Sequence, residues 1–150
     1  RFGFFPYAPA TTLLYGLEEA LVMLREEGLD MVFARHARLA EATRLTVSGW
    51  GLDNFCAEAI AHSNSGTTVQ IPDRFDADAF RGVVLKRFNM SLGSGLGRLK
   101  GKVFRIGHLG DLNELMLMGA LSGVEMGLKA EGIPHEDRGL RTAMEFLVAS

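Results

Sequence analysis

Gly93-Ser94-Gly95-Leu96-Gly97-Arg98-Leu99-Lys100-Gly101-Lys102-Val103-Phe104-Arg105-Ile106-Gly107-His108-Leu109-Gly110 is a glycine-rich loop running into a short apolar segment. Residues 102–106 read as a strand that breaks at Gly107 and Gly110, with Asp111 expected to open a long helix. Period-two alternation puts Phe104 and Ile106 on one face and Val103 and Arg105 on the other. Arg105 is therefore a single charge on a rigid element, directed away from a packed face. A guanidinium held that way suits a carboxylate or phosphate, because its fork of donors meets two oxygens at once. A structural arginine paired with a protein carboxylate is the alternative for the same position.

Two phosphate motifs can be tested on the glycines, and both fail. After Gly93 and Gly95, the third glycine of a dinucleotide fingerprint would fall on Arg98. A P-loop ending at Gly101-Lys102 would need glycine at Leu96 and a hydroxyl residue at Val103. The loop glycines instead read as positive-φ turns or points of close backbone approach.

Working outward, the 150 residues suffice for one domain with a core. The formal net charge of −2, with both signs interspersed, argues against nucleic acid or an anionic membrane as the main partner. No apolar run is long enough to span a bilayer, and no signal peptide is recognisable. Cys56 is the single cysteine, which rules out an internal disulfide and fits a reducing, cytoplasmic compartment. His36, His62, His108 and His135 are scattered, so no metal site is expected.

N-terminal to the loop, Pro6 and Pro9 keep residues 1–10 extended. Thr11 or Thr12 is expected to cap a helix with the stripe Leu13, Leu14, Leu17, Leu21 and Leu24, stopped at Gly28. A second helix, capped by Asp30 and reaching about Ser48, turns Val32, His36, Leu39, Thr43 and Val47 inward. Its Arg35, Arg38 and Arg44 read as a solvated face. Residues 52–60 are ambiguous between a short strand and a helical turn, residues 62–66 read as loop, and a serine–histidine hydrolase reading there lacks the nucleophile-elbow pattern. Residues 67–71 alternate as a strand, Asp76 caps a third helix with Phe80, Val84 and Phe88 inside, and 89–92 reads as a further short strand. Beyond the loop, Asp111 and Glu114 read as near to a capping box. The following helix is expected to pack through Leu112, Leu115, Met116, Gly119, Gly123, Met126 and Gly127. A last amphipathic helix covers residues 138–148. The order of elements predicts a two-layer α/β sandwich, with helices on one face of a small, mostly antiparallel sheet.

With these elements in place, the sequence resembles the class V aminotransferases that depend on pyridoxal phosphate, nearest to the serine–glyoxylate and alanine–glyoxylate group. The resemblance is carried by residues 5–17, by residues 28–42, and above all by Ser91-Leu92-Gly93-Ser94-Gly95-Leu96-Gly97 and the block from Gly101 to Asp111. It implies the small C-terminal domain of a fold type I enzyme, with the cofactor-binding domain upstream of residues 1–150. It implies that Arg105 grips the substrate carboxylate. It also implies that the segment around Tyr7 and Ala8 reaches the cofactor phosphate of the neighbouring subunit in a homodimer. The family often has threonine where Ala8 stands, and alanine brings no hydroxyl, which leaves Tyr7 as a substitute donor.

The aldehyde cofactor of such enzymes must be linked to a lysine. None of Lys86, Lys100, Lys102 and Lys129 matches the family's catalytic lysine, so no catalytic residue is assigned and this chain alone is expected to be inactive. Amino transfer from serine or alanine to glyoxylate or a similar 2-oxo acid is the implied activity. The alternative is a non-catalytic binding or interaction module that keeps the small-domain fold. The apolar opening of Phe2, Phe4, Phe5 and Tyr7 and the leucine-rich first helix are expected to be covered by another chain or by an upstream domain.

Overall fold

The computed structural model describes residues 7–150, which divide into two units, one reaching Arg35 and the other running from His36 to Ser150. Phe2, Phe4 and Phe5 lie outside the described residues.

In the first unit, helix α1 (Thr11–Glu27) ends at Gly28, whose φ of 85° is one that side chains resist. Ala10 precedes the helix without any side-chain cap bond, so neither threonine caps it: Thr11 is already its first residue. No residue of α1 is buried, and Leu13, Leu14, Leu17, Leu21 and Leu24 are all exposed. Helix α2 (Leu29–Gly49) starts one residue before Asp30, which lies in its first turn, where its charge favours the positive end of the helix dipole, rather than at the cap. Arg35 reaches back to Glu27 with two bonds of 2.6 and 2.8 Å, so it is paired across the α1–α2 turn.

The second unit holds a four-stranded antiparallel sheet of order β1-β2-β4-β3, made of β1 (Asp53–Asn54), β2 (Gly66–Gln70), β3 (Gly93–Ser94) and β4 (Val103–Gly107). The expected strand at 89–92 is displaced to 93–94. Asn89 adopts the left-handed conformation that closes helix α3 (Ala77–Phe88), so the chain turns there before it can extend. Asp76 caps α3 as expected, accepting from the amides of Asp78 and Ala79.

Register fixes the two faces of the sheet. Val69 lies opposite Phe104, Thr67 opposite Ile106 and Thr68 opposite Arg105. Val69, Phe104 and Ile106 are buried against the helices, and the Phe104 ring meets Phe80 of α3 at 4.9 Å between centroids.

Helix α4 (Glu114–Ala130) begins three residues later than expected. Asn113 caps it through the amide of Met116, so Asp111 is not its cap. Its buried face is Leu117, Leu121, Gly123, Val124, Glu125, Gly127 and Leu128, while Leu115, Met116 and Met126 are exposed. The stripe read from the sequence followed the glycines correctly at Gly123 and Gly127 but chose the wrong side at the methionines. Gly123 faces Met90, and Gly127 faces Val84 and Phe80, letting α3 approach closely.

Trp50, fully buried at the end of α2, ties three helices together. Its indole donates to Glu125 of α4 at 2.9 Å and lies over Gly139, the first residue of α5 (Gly139–Ala149). Glu125 also accepts from Lys129 at 2.8 Å. Burial alone would raise its pKa, yet the bonds from Lys129 and Trp50 hold it below the ordinary carboxylate value.

Two glycines on α4 should respond to alanine with opposite signs. A methyl at Gly127 would come within 2.5 Å of Val84, and overpacking of this kind costs ~1–3 kcal/mol. Gly119 has nothing within 4 Å, so Gly119→Ala should stabilise by up to ~1 kcal/mol through helix propensity. Thermal or urea unfolding of the two variants measures both, and equal effects would contradict the packing described.

Candidate functional site

The face of the sheet opposite the helices carries a groove of about 540 Å³. Hydroxyls from Ser63, Ser65, Thr68 and Ser91 line it, together with Gly93, Gly107 and Arg105. β4 delivers Arg105 here because its neighbours Phe104 and Ile106 must point the other way. The arginine side chain is exposed, and its Nε donates to the Ser94 carbonyl at 2.9 Å. No ion pair joins Arg105 to a carboxylate among the described residues.

The glycine loop serves this site by packing. Gly95 lies where a Cβ would come within 2.1 Å of the Leu99 carbonyl and 2.9 Å of Val103, so the loop folds tightly over Val103 on the same face as Arg105. Gly97 and Gly101 take positive φ values of 55° and 75°. The amides of Leu99, Lys100 and Lys102 bond within the loop's own turns, to the carbonyls of Leu96, Gly97 and Leu99.

Two histidines fasten the segments at the groove's edge. His108 is fully buried; its Nδ1 donates to the Asn64 carbonyl at 3.2 Å and its Nε2 lies 2.9 Å from the Thr67 hydroxyl. The His108 amide also donates to the Ser65 carbonyl. Burial pushes the His108 pKa below the ordinary imidazole value, although the Asn64 bond works the other way. His36 accepts from the Gly110 amide at 3.0 Å, which makes its Nε2 the unprotonated nitrogen. His36 is thus the packed, hydrogen-bonded residue that its inward position on α2 predicted.

Arg38 and Arg44 depart from the expected solvated face. Arg38 pairs with Glu114 and donates to the Leu147 carbonyl, and Arg44 pairs with Glu41 and reaches the Ser63 carbonyl at 3.3 Å. Ser63 bonds to Ser65, while His62 Nε2 donates to the Cys56 carbonyl, so these two neighbours are engaged separately.

Of the residues singled out in the sequence, Arg105 lies in the groove. Tyr7 and Ala8 belong to the first unit and are exposed. Thr68, Gly93 and the Ser94 carbonyl were missed. Alternation in residues 67–71 already turned Thr68 away from Val69, but its partnership with Arg105 depends on register. As a self-contained cofactor site the groove does not fit pyridoxal phosphate, since none of the four lysines lines it. Its hydroxyls and single guanidinium fit a small carboxylate.

Comparison with known proteins shows the family to which this sheet and its helices belong. The chain is 50% identical over 131 residues to serine–glyoxylate aminotransferase of Arabidopsis thaliana, covering 87% of this chain and 33% of that enzyme. It is 38% identical over 130 residues to L-aspartate–glyoxylate aminotransferase of Paracoccus denitrificans, with 87% and 33% covered. Among solved structures, pyridoxamine–pyruvate aminotransferase from Mesorhizobium loti superposes with a TM-score of 0.89 at 31% identity, covering 99% of this chain and 38% of that one. No family model matches. The chain spans about a third of the length of the curated relatives it matches. It is a homologue of the serine–glyoxylate aminotransferases and corresponds to the C-terminal part of the class V aminotransferases.

The His108 contacts carry a pH dependence. A histidine with a depressed folded pKa contributes stability that is complete above its unfolded value, near 6.5, and is lost as pH falls from there through the folded value. Melting temperatures measured from pH 8 to pH 5 should therefore fall on the acid side, and His108→Gln should flatten that slope. An unchanged slope in the variant would contradict the assignment.

Proposed function

We propose that this chain is the C-terminal domain of a pyridoxal-phosphate-dependent aminotransferase. The enzyme would move an amino group from serine or alanine to glyoxylate or a similar 2-oxo acid, with the cofactor held mainly by a domain outside residues 1–150. The carrying observation is Arg105: a guanidinium with no carboxylate partner among the described residues, on a rigid strand, facing a hydroxyl-lined groove. Amino donor and keto-acid acceptor share an α-carboxylate, so one arginine can orient both. The relatives named above are glyoxylate aminotransferases, which supports this pair of substrates.

Pyridoxal phosphate, when bound, supplies the electron sink for the bonds at the substrate's α-carbon. The residues of this chain supply position. Arg105 fixes the carboxylate, and fixing one end of a small substrate limits where its α-carbon can go. Tyr7 and Ala8 are assigned to the cofactor phosphate of a neighbouring subunit in a homodimer, and the leucine face of α1 to the surface covered in the assembled enzyme. The cytoplasm is the proposed location, in keeping with the single cysteine.

Arg105→Ala in the assembled enzyme should cost on the order of 30- to 5000-fold in kcat/KM, the range for removing one member of a hydrogen-bonded charge pair. Arg105→Lys should recover only part, because an ammonium lacks the planar fork. Both half-reactions should suffer alike, with little change in melting temperature or cofactor content. Intact half-reactions would return Arg105 to a structural role.

Ala8→Thr should tighten pyridoxal phosphate binding by roughly two- to twelve-fold, the worth of one neutral hydrogen bond. Spectrophotometric titration of the apoenzyme measures it. Unchanged affinity would hand that contact to another group, with Tyr7 the first to test.

A further inference from the structure

Arg105 has a different neighbour on each side across the sheet. On β2 its partner is Thr68, a β-branched residue, and on β3 its partner is Gly93. Partners in register present their side chains on the same face. Thr68 therefore occupies one flank of the arginine, while the other flank is bare. The arginine uses the bare side: a Cβ built on Gly93 would lie 3.0 Å from Arg105 Cβ and 3.2 Å from its Nε. From there the Nε reaches the Ser94 carbonyl at 2.9 Å.

The backbone itself does not ask for glycine at this place. The positive-φ glycines are Gly28, Gly51, Gly97, Gly101, Gly110 and Gly132, and Gly93 is not among them. A β-strand position with ordinary dihedrals would accept a branched residue and gain from its strand propensity. The contact a side chain at 93 would crowd is the arginine.

We propose that Gly93 is a positioning residue for substrate, acting through Arg105: its missing side chain lets the guanidinium lie across β3 with Nε committed to the Ser94 carbonyl. The two terminal nitrogens are then left as an end-on fork for an α-carboxylate. The Thr68–Gly93 asymmetry sets the direction of that fork. Anchoring the Nε removes one way for the side chain to swing, so less ordering remains for the ligand to impose. This rests on the reading of Arg105 as the carboxylate handle.

The test is a double-mutant cycle between position 93 and Arg105 in the assembled enzyme, with L-serine and glyoxylate as probes. Gly93→Val should raise KM for both by about tenfold, the scale of one misplaced hydrogen bond, with kcat unchanged. In an Arg105→Ala background the same substitution should have no further effect. Gly93→Ala, a smaller wedge, should show the same pattern at lower amplitude and serves if the valine variant fails to fold. A second readout is the Nε–H NMR signal of Arg105, assigned by its loss in Arg105→Lys. It should be slow to exchange in the parent and fast in Gly93→Ala. A penalty that persists without Arg105, or an unmoved KM and Nε–H signal, would overturn the inference while leaving the role of Arg105 standing. An Arg105→Ala enzyme with normal KM would instead overturn the carboxylate reading beneath it.

Discussion

Strand β4 lies between β2 and β3 with Phe104 and Ile106 turned into the core, and this constraint sets where everything else on the sheet must face. Burying two large apolar side chains is worth about 1.5–3 kcal/mol each. A one-residue slip would exchange them with Val103 and Arg105, putting a guanidinium into the helices and two apolar groups into water. The register is therefore held by the core, and the direction of Arg105 follows from it without any contribution from a ligand. Rigidity of this kind suits a binding group, since a site on a strand keeps its geometry better than one on a loop.

Around that strand, glycine and histidine do complementary work. Gly95 and the turns at Gly97 and Gly101 let the loop close over Val103 on the face of the sheet that carries Arg105. His108 and His36 fasten the segment after β4 to the 63–67 segment and to α2. Gly123 and Gly127 let α3 and α4 meet under the sheet, and Trp50 joins α2, α4 and α5 through Glu125 and Gly139. The leucines of α1 obey helical spacing and are nevertheless exposed.

Local rules in the sequence carried most of the fold. The Asp76 cap, the inner face of α2, the alternation of β4 and the order of elements follow from spacing and capping chemistry that neighbouring residues decide. What failed was decided at a distance. Asn113 rather than Asp111 caps α4, because both are good caps and only the path of the chain after Gly110 chooses between them. Leu115, Met116 and Met126 point outward because α3 docks on the glycine side, where Val84 and Phe80 fit. Arg38 looks solvated on a helical wheel, but its partners Glu114 and Leu147 lie far along the chain, and Arg44 adds the distant Ser63 carbonyl to its helical neighbour Glu41. At the site, Arg105 stood out as one charge in an apolar strand. Thr68 and Gly93 became visible only once register set them on either side of it.

The proposed role of Arg105 turns on how its guanidinium meets a carboxylate. A crystal structure of the assembled enzyme with glyoxylate or L-serine bound is the direct measurement. The carboxylate should be held by the two terminal nitrogens of Arg105, with the Nε still on the Ser94 carbonyl and the side chain still lying over Gly93. A carboxylate bound elsewhere, or Arg105 turned into an ion pair with a protein carboxylate, would contradict it.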